Sequence, residues 1–155
     1  LPFKPALHDV QALAYSVIEE VKMVYKASGV TIQYAYQGQQ NQQYIDANLF
    51  RHIFQNLLSN AMKYSGAGTE VQARINGTDD HITIVVVDQG IGIPEENQAN
   101  MFNTFHRANN VGTIQGTGLG LAIVKRAVDT HGGTINFKSI ENQGTMFVVT
   151  LPTHK

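Results

Sequence analysis

The chain has 155 residues and a formal net charge of −1, and 43% of its residues are hydrophobic. These values are typical of one globular domain with a single core, and they give no electrostatic reason to expect nucleic acid or an anionic membrane as a partner. Cysteine is absent, which excludes disulfides, thiolate metal sites and a cysteine nucleophile. No segment is long and apolar enough to be predicted to cross a bilayer. Because the first residue is Leu1 and not Met, we expect residues 1–155 to be a single domain excised from a longer chain.

The first half of the chain is predicted to contain two amphipathic helices separated by short strands. Apolar residues follow helical spacing from residue 10 to residue 25, with Asp9 as the N-cap and Gly29 as a left-handed C-terminal cap. Asp46 is the expected N-cap of the second helix, which ends near Tyr64. The remaining elements predicted here are a short edge strand or linker end at 1–8, strands at 30–36 and 43–46, and a surface turn at 37–43.

The second half is predicted to contain two hairpins with helical segments between them. The predicted elements are strands at 70–76 and 81–87, a weakly helical segment at 95–105, a polar loop at 109–117, a helix at 119–131, and strands at 134–139 and 145–151. Gly132 and Gly133 end the last helix. Since the helices lie between hairpins and do not alternate strictly with strands, the predicted fold class is α/β. The expected architecture is a two-layer sandwich of a mostly antiparallel mixed sheet with about three helices on one face.

The helix around residues 51–65 carries two stripes of different chemistry. The predicted buried stripe consists of Phe50, Ile53, Phe54, Leu57 and Ala61. The second stripe, beside it, consists of His52, Asn56, Asn60 and Lys63. Asparagine is a poor helix former, so two of them in mid-helix suggest a function that offsets this cost. Amide oxygens and an ammonium suit a hydrated Mg²⁺ that carries phosphates, and the alternative is a polar flank with two incidental asparagines.

A carboxylate and two glycines follow the strand predicted at 81–87. Asp88 ends this strand, and Gly90 and Gly92 allow the backbone to approach a flat ligand closely. A fixed carboxylate can accept a hydrogen bond from an exocyclic amine such as that of adenine. The alternative is that Asp88 and Gly90 only form a turn, because both residue types are common in turns.

A glycine-rich segment, 116–121, runs directly into the helix predicted at 119–131. Glycines before a helix N-terminus leave backbone N–H groups free to face an anion, although a flexible loop has the same composition. The segment is neither a Walker motif nor a dinucleotide fingerprint after a strand. Two aromatic residues at the spacing of Phe102 and Phe105 are more often part of the core than of a docking patch, so core positions are expected for them. His131 is expected at a helix C-terminus, and no histidine pair has zinc-ligand spacing.

Five segments, in this order, resemble the conserved boxes of bacterial sensor histidine kinases. Residues 56–65 resemble the N box, 88–94 the first glycine box, 102–107 the F box, 116–121 the second glycine box, and 144–147 the closing Gly-Thr element that leads to Leu151 and Pro152. The resemblance covers nearly the whole chain. It implies the Bergerat ATP-binding fold of the GHKL superfamily.

The resemblance also implies roles for particular residues. Asn60 would coordinate Mg²⁺, with Asn56 supporting the metal and the phosphates. Lys63 would contact phosphate, so that Asn60 and Lys63 are the expected catalytic residues. Asp88 would recognise the adenine amine. The full expected nucleotide-binding set is Asn56, Asn60, Lys63, Tyr64, Asp88, Gly90, Gly92, Ile93, Arg107, Gly116, Thr117, Gly118, Leu119, Gly120 and Thr145, and the loop at 109–117 would be the ATP lid.

Two departures from the superfamily pattern refine the expected function. His52 stands where superfamily ATPases place a water-activating glutamate, which favours a kinase over an ATP hydrolase. No histidine has the phosphoacceptor context of the family, and His8 is the nearest candidate. We therefore expect a cytoplasmic, monomeric catalytic domain that uses Mg²⁺ and ATP. Its expected partners are the phosphoacceptor domain of a homodimeric parent, with or without a membrane anchor, and a response regulator. The alternatives are a serine kinase of the anti-sigma type and a degenerate nucleotide-binding or docking module.

Overall fold

The computed structural model of the chain describes residues 2–38, 41–103, 108 and 120–153. Within these ranges it contains four α-helices and seven β-strands. In chain order they are β1 (Ala6–Asp9), α1 (Val10–Val24), β2 (Thr31–Gly38), β3 (Gln42–Ile45), α2 (Ala47–Tyr64), β4 (Glu70–Gly77), β5 (His81–Asp88), α3 (Glu95–Gln98), α4 (Gly120–Thr130), β6 (Thr134–Ile140) and β7 (Gly144–Pro152). No helix among the described residues is long and apolar enough to cross a membrane.

The main sheet has five strands in the order β2-β4-β5-β7-β6. Strand β2 pairs with β4 in parallel, and every other neighbouring pair of this sheet is antiparallel. Side chains alternate between buried and more exposed positions along β4, β5 and β7, as expected when helices cover one face of a sheet. The predicted α/β class, the mixed sheet and both hairpins are therefore confirmed.

The segment predicted as an edge strand or linker end forms β1, but not at an edge of the main sheet. It pairs with β3 in a separate antiparallel two-stranded sheet. The predicted surface turn at 37–43 is shorter than expected, because its first two residues extend β2 and Gln42 already begins β3.

Helix α2 lies at the centre of the core. The Asp46 carboxylate caps it by accepting a hydrogen bond from the Leu49 N–H at 3.1 Å, as predicted. The buried side chains of α2 are Leu49, Phe50, Ile53, Phe54, Leu57, Leu58, Ala61 and Met62, which include the whole predicted apolar stripe. Helices α1 and α4 both pack against α2, so its polar stripe is held by a fully formed core.

Two helix predictions need correction. Helix α1 begins after the predicted cap Asp9 but ends at Val24, and Gly29 (φ 77°) lies in a later turn. The reason is that the carbonyl of Gly29 accepts from Gly68 N–H at 2.8 Å, which ties this segment to the 66–68 turn. Of the helix predicted at 95–105, the described residues 95–103 form only the single turn α3, which is followed by i→i+3 turns.

Two side chains outside the helices behave as predicted. Phe102 is partly buried against the core, with its ring edge-on to Phe137 at 5.7 Å, whereas Phe105 lies outside the described residues. His131 directly follows α4 and is fully buried, and its Nε2 accepts a hydrogen bond from Asp46 N–H at 3.2 Å. The Phe3 ring packs edge-on against it at 5.1 Å.

Candidate functional site

The polar stripe of α2 is partly exposed beside the buried face. The amide of Asn56 donates from Nδ2 to the carbonyl oxygen of His52 at 2.6 Å, which leaves its amide oxygen directed away from the helix backbone. A methyl group added at Gly120 would lie 3.5 Å from this oxygen. The N-terminus of α4 therefore lies next to Asn56, and the structure brings one residue of the predicted N box beside one residue of the second glycine box.

Asn60 and Lys63 continue the stripe toward the C-terminal end of α2. The side-chain amide of Asn60 makes no hydrogen bond to any other residue that the structure describes, and the Lys63 ammonium lies 6.0 Å from the centre of the Tyr64 ring. The stripe thus offers neutral amide oxygens and one cation. Hard oxygen donors of this kind, with room for water, are what Mg²⁺ prefers when it is carried by phosphates, so the residues present fit such a group.

The carboxylate of Asp88 lies at the end of β5 in a partly buried position. Its Oδ1 accepts two backbone hydrogen bonds, from Gly90 N–H at 2.8 Å and from Thr145 N–H at 3.3 Å. Burial raises the pKa of Asp88, and these two N–H groups oppose the rise by stabilising the ionised form. The other oxygen, Oδ2, has no hydrogen-bond partner among the described residues, so it can accept a bond from a ligand.

The loop after Asp88 is pressed against the end of α2. A Cβ at Gly90 would lie 2.5 Å from the Tyr64 carbonyl oxygen, and the Ile91 N–H donates to the same oxygen at 3.3 Å. Gly92 has a φ of 68°, and a Cβ there would collide with the carbonyl oxygen of Ile140. Both positions therefore require glycine, and the turn alternative alone does not explain the close approach at Gly90.

Three polar residues form a row across the ends of adjacent strands. Asp88 on β5 is paired with Thr145 on β7, and Thr145 is paired with Ser139 on β6. Ile93, which is buried, donates its N–H to Ser139 Oγ at 2.8 Å, and Gln98 Nε2 donates to the carbonyl of Ile93 at 3.1 Å. The row and the loop are therefore one hydrogen-bonded unit.

Sequence reasoning did not identify Ser139 or Gln98. The available signal was weak: the alternation of β6 places Ser139 on the same side as Ile135 and Phe137, where a hydroxyl needs a partner. Arg107, Gly116, Thr117, Gly118 and Leu119, together with the predicted lid at 109–117, lie outside the described residues.

Helix α2 joins the two halves of this arrangement. Asn56 lies beside the start of α4, and Tyr64, eight residues later, touches the loop at Gly90. At 1.5 Å per residue this distance is about 12 Å along the helix axis. The site is thus elongated, with acceptor groups at the Asp88 end and amide oxygens, an ammonium and a helix N-terminus at the other. Such a site suits a ligand with an amine at one end and anionic oxygens at the other.

Comparison with known families agrees with this geometry. Residues 45–155 match the family described as histidine kinase-, DNA gyrase B- and HSP90-like ATPases. The chain belongs to this ATPase family. Membership implies the use of ATP and confirms the resemblance drawn from the five boxes.

Individual relatives of the chain are sensor histidine kinases and sensor proteins. The chain is 37% identical over 150 residues to sensor histidine kinase YvrG of Bacillus subtilis, covering 96% of this chain and 26% of YvrG. It is 42% identical over 112 residues to WalK of the same species and 38% identical over 109 residues to KdpD of Escherichia coli, covering 18% and 12% of those proteins. The chain therefore spans about a quarter or less of the length of these relatives.

Solved structures show the same fold. The mycobacterial sensor histidine kinase MprB is 28% identical with a TM-score of 0.80, and the match covers 97% of this chain and 99% of that one. Full-length ShkA, solved in complex with AMPPNP, is 26% identical with a TM-score of 0.84, and the match covers 100% of this chain and 32% of that one.

Proposed function

We propose that this chain is the ATP-binding catalytic domain of a sensor histidine kinase. In this proposal it presents Mg²⁺-ATP to a histidine on a separate dimerisation and phosphoacceptor domain of the same protein. The observation that carries the proposal is the placement of the Asp88 acceptor and the α2 stripe at opposite ends of one elongated site. The sensor histidine kinase relatives support the choice of reaction, and the AMPPNP complex of ShkA supports the choice of ligand.

At one end, Asp88 would recognise the base. The adenine amine donates to its free Oδ2, whereas guanine would place a carbonyl oxygen against it. Gly90, Gly92 and Ile93 would line the base pocket, and Tyr64 would border the nucleotide. The backbone contacts on Oδ1 favour this role, because they fix the carboxylate without occupying both of its oxygens.

At the other end, Asn60 and Asn56 would hold Mg²⁺, which when bound neutralises phosphate charge. Lys63 would contact phosphate, and the N-terminus of α4 at Gly120 would face it. The roles of Arg107, Gly116, Thr117, Gly118 and Leu119, and of the lid at 109–117, remain predictions from the resemblance. The contribution of this chain to catalysis is positioning and charge neutralisation, since the acceptor nucleophile is a histidine of another domain.

The proposal extends to the whole protein. Residues 1–155 would be a single monomeric domain of a homodimeric parent, located in the cytoplasm. The phosphorylated histidine would pass its phosphoryl group to a response regulator. The lengths of YvrG, WalK and KdpD, each several times the matched region, support the presence of further domains in such proteins.

A labelling experiment tests this function. The chain is incubated with Mg²⁺ and γ-labelled ATP, alone and with a fragment of its parent that carries the acceptor histidine. We expect no label on the chain alone and acid-labile label on the fragment, and none on a matched fragment whose histidine is replaced by glutamine. Acid-labile label on this chain alone would contradict the assignment, and acid-stable label on a serine of a partner would favour the serine kinase alternative. Absence of ATP binding would instead indicate a degenerate docking module.

A further inference from the structure

Ser139 makes three polar contacts that fix the orientation of two hydroxyl groups. Its Oγ lies 2.8 Å from the Ile93 nitrogen, 3.2 Å from the Gly144 carbonyl oxygen and 2.7 Å from Thr145 Oγ1. The Ile93 N–H can only donate, and the Gly144 carbonyl can only accept. All three contacts can be hydrogen bonds at once in only one arrangement, in which the single Ser139 proton goes to Gly144 and Thr145 donates to Ser139.

This orientation determines what Thr145 offers to a ligand. With its proton directed to Ser139, the Thr145 hydroxyl retains only lone pairs on its remaining side. Thr145 is the direct cross-strand partner of Asp88, so their side chains lie on the same face at neighbouring positions. Asp88 Oδ2 and Thr145 Oγ1 are thus two acceptors at paired positions on one face of the sheet, at the end of the site.

We infer that Ser139 is a positioning residue that sets base selectivity by making the Thr145 hydroxyl an acceptor toward the nucleotide base. This inference rests on the proposed function, because it assigns a specificity device to the same base pocket. Two adjacent acceptors match the two hydrogens of an exocyclic amine, directly or through one bridging water. A base with a carbonyl at that position meets two acceptors instead, and it leaves polar groups unpaired.

Removing the Ser139 hydroxyl frees the Thr145 proton. In Ser139→Ala the Thr145 hydroxyl loses its internal acceptor and can rotate to donate into the pocket. It would then oppose an amine and favour a carbonyl. We expect ATP affinity to fall more than that of inosine triphosphate, which carries a carbonyl in place of the adenine amine, so that the ratio of the two affinities falls about fivefold to tenfold.

The chain offers a matched control for a purely structural effect. Gln98 also holds the loop, by donating to the carbonyls of Ile93 and Ser139, but among the described residues no hydrogen bond joins its side chain to Thr145. Gln98→Ala is expected to weaken both nucleotides by the same factor and leave their ratio unchanged. Ser139→Thr restores the hydroxyl and is expected to restore the ratio.

The experiment measures Mg²⁺-dependent affinity for ATP and inosine triphosphate by competition, with folding of each variant checked by urea unfolding. In a Thr145→Val background, Ser139→Ala should no longer change the ratio, since the group that it reorients is gone. An equal loss of both nucleotides in Ser139→Ala would overturn the inference and leave Ser139 as a loop contact only, while the proposed function would stand. Failure of the unmutated chain to bind ATP would overturn the proposed function, and this inference with it.

Discussion

Replacing Asp88 with asparagine should separate the contribution of this side chain to binding from its contribution to folding. An asparagine Oδ1 can still accept the backbone N–H groups of Gly90 and Thr145, so the loop keeps its two anchors. The other end of the side chain changes from an acceptor oxygen to an NH₂ donor. This group would face the amine of adenine, and two donors would then oppose each other in a partly buried site.

The expected loss follows from the cost of an unpaired polar group. A buried group without a partner costs roughly 1–3 kcal/mol, which corresponds to a loss of ATP affinity of about 5-fold to 150-fold. The unmutated chain should prefer ATP over GTP by at least about tenfold for the same reason. Asp88→Asn should lose part of this preference, because its NH₂ can donate to the guanine carbonyl.

The free energy of unfolding of Asp88→Asn is not expected to fall together with its ATP affinity. Burial raises the pKa of Asp88 above its ordinary value of 3.8, so the folded chain holds this proton more tightly than the unfolded chain does. A raised carboxyl pKa gives a contribution to stability that is fully present below the unfolded pKa and is lost as the pH rises through the folded pKa. Asp88→Asn lacks this titration. Its free energy of unfolding should equal or exceed that of the unmutated chain at pH 7, and the difference should shrink below about pH 4.

Titration calorimetry with both nucleotides and urea unfolding at several pH values measure these quantities. Asp79→Asn, at an exposed aspartate of the β4–β5 turn, is the matched control and should change neither nucleotide affinity nor the free energy of unfolding. Equal binding of ATP and GTP by the unmutated chain would remove Asp88 from the base pocket. A large loss of stability in Asp88→Asn at pH 7 would contradict this prediction and show that the carboxylate serves the fold.

Three further substitutions test other parts of the structure. Asn60→Ala should weaken ATP binding only when Mg²⁺ is present and leave stability within about 0.5 kcal/mol, as for a partly exposed polar site; unchanged Mg²⁺-ATP affinity would contradict its proposed role. Tyr34→Phe removes a buried hydroxyl that has no hydrogen-bond partner among the described residues, and this burial raises the pKa of Tyr34 to about 12. Urea unfolding should therefore show equal or higher stability, and a clear loss would indicate that the hydroxyl has a partner. His131→Leu leaves the Asp46 N–H without its acceptor and should cost roughly 1–3 kcal/mol, which an unchanged urea midpoint would disprove.

Local pattern was sufficient to predict the elements that depend on neighbouring residues. Helical spacing located α1 and α2, and the caps Asp9 and Asp46 bond as predicted, because capping involves residues only three positions apart. The two hairpins followed from strand alternation around short turns. The C-terminal end of α1 was predicted incorrectly, since the bond that fixes Gly29 comes from Gly68, which no local pattern identifies.

The sequence pattern could not predict which distant strands pair with each other. The parallel pairing of β2 with β4 and the separate sheet of β1 and β3 depend on register between distant segments. Ser139 has a similar origin: its polar contacts come from Ile93, 46 residues away, and from Gly144 and Thr145 across the hairpin, and not from its adjacent residues. The glycine boxes were visible because glycine is required by local backbone geometry, whereas a serine in a strand has no comparable signal.

The residues at the two ends of the site differ in how they affect folding. Asn60 is a partly exposed amide on a helix, and many residue types would fold equally well there. Asp88 occupies a position where burial acts against its charge and where an asparagine would keep both backbone hydrogen bonds. We expect a carboxylate at such a position to weaken the fold at neutral pH relative to its amide analogue. Under the proposed function, its presence there is explained by the adenine amine that it would bind, and not by the packing of the chain itself.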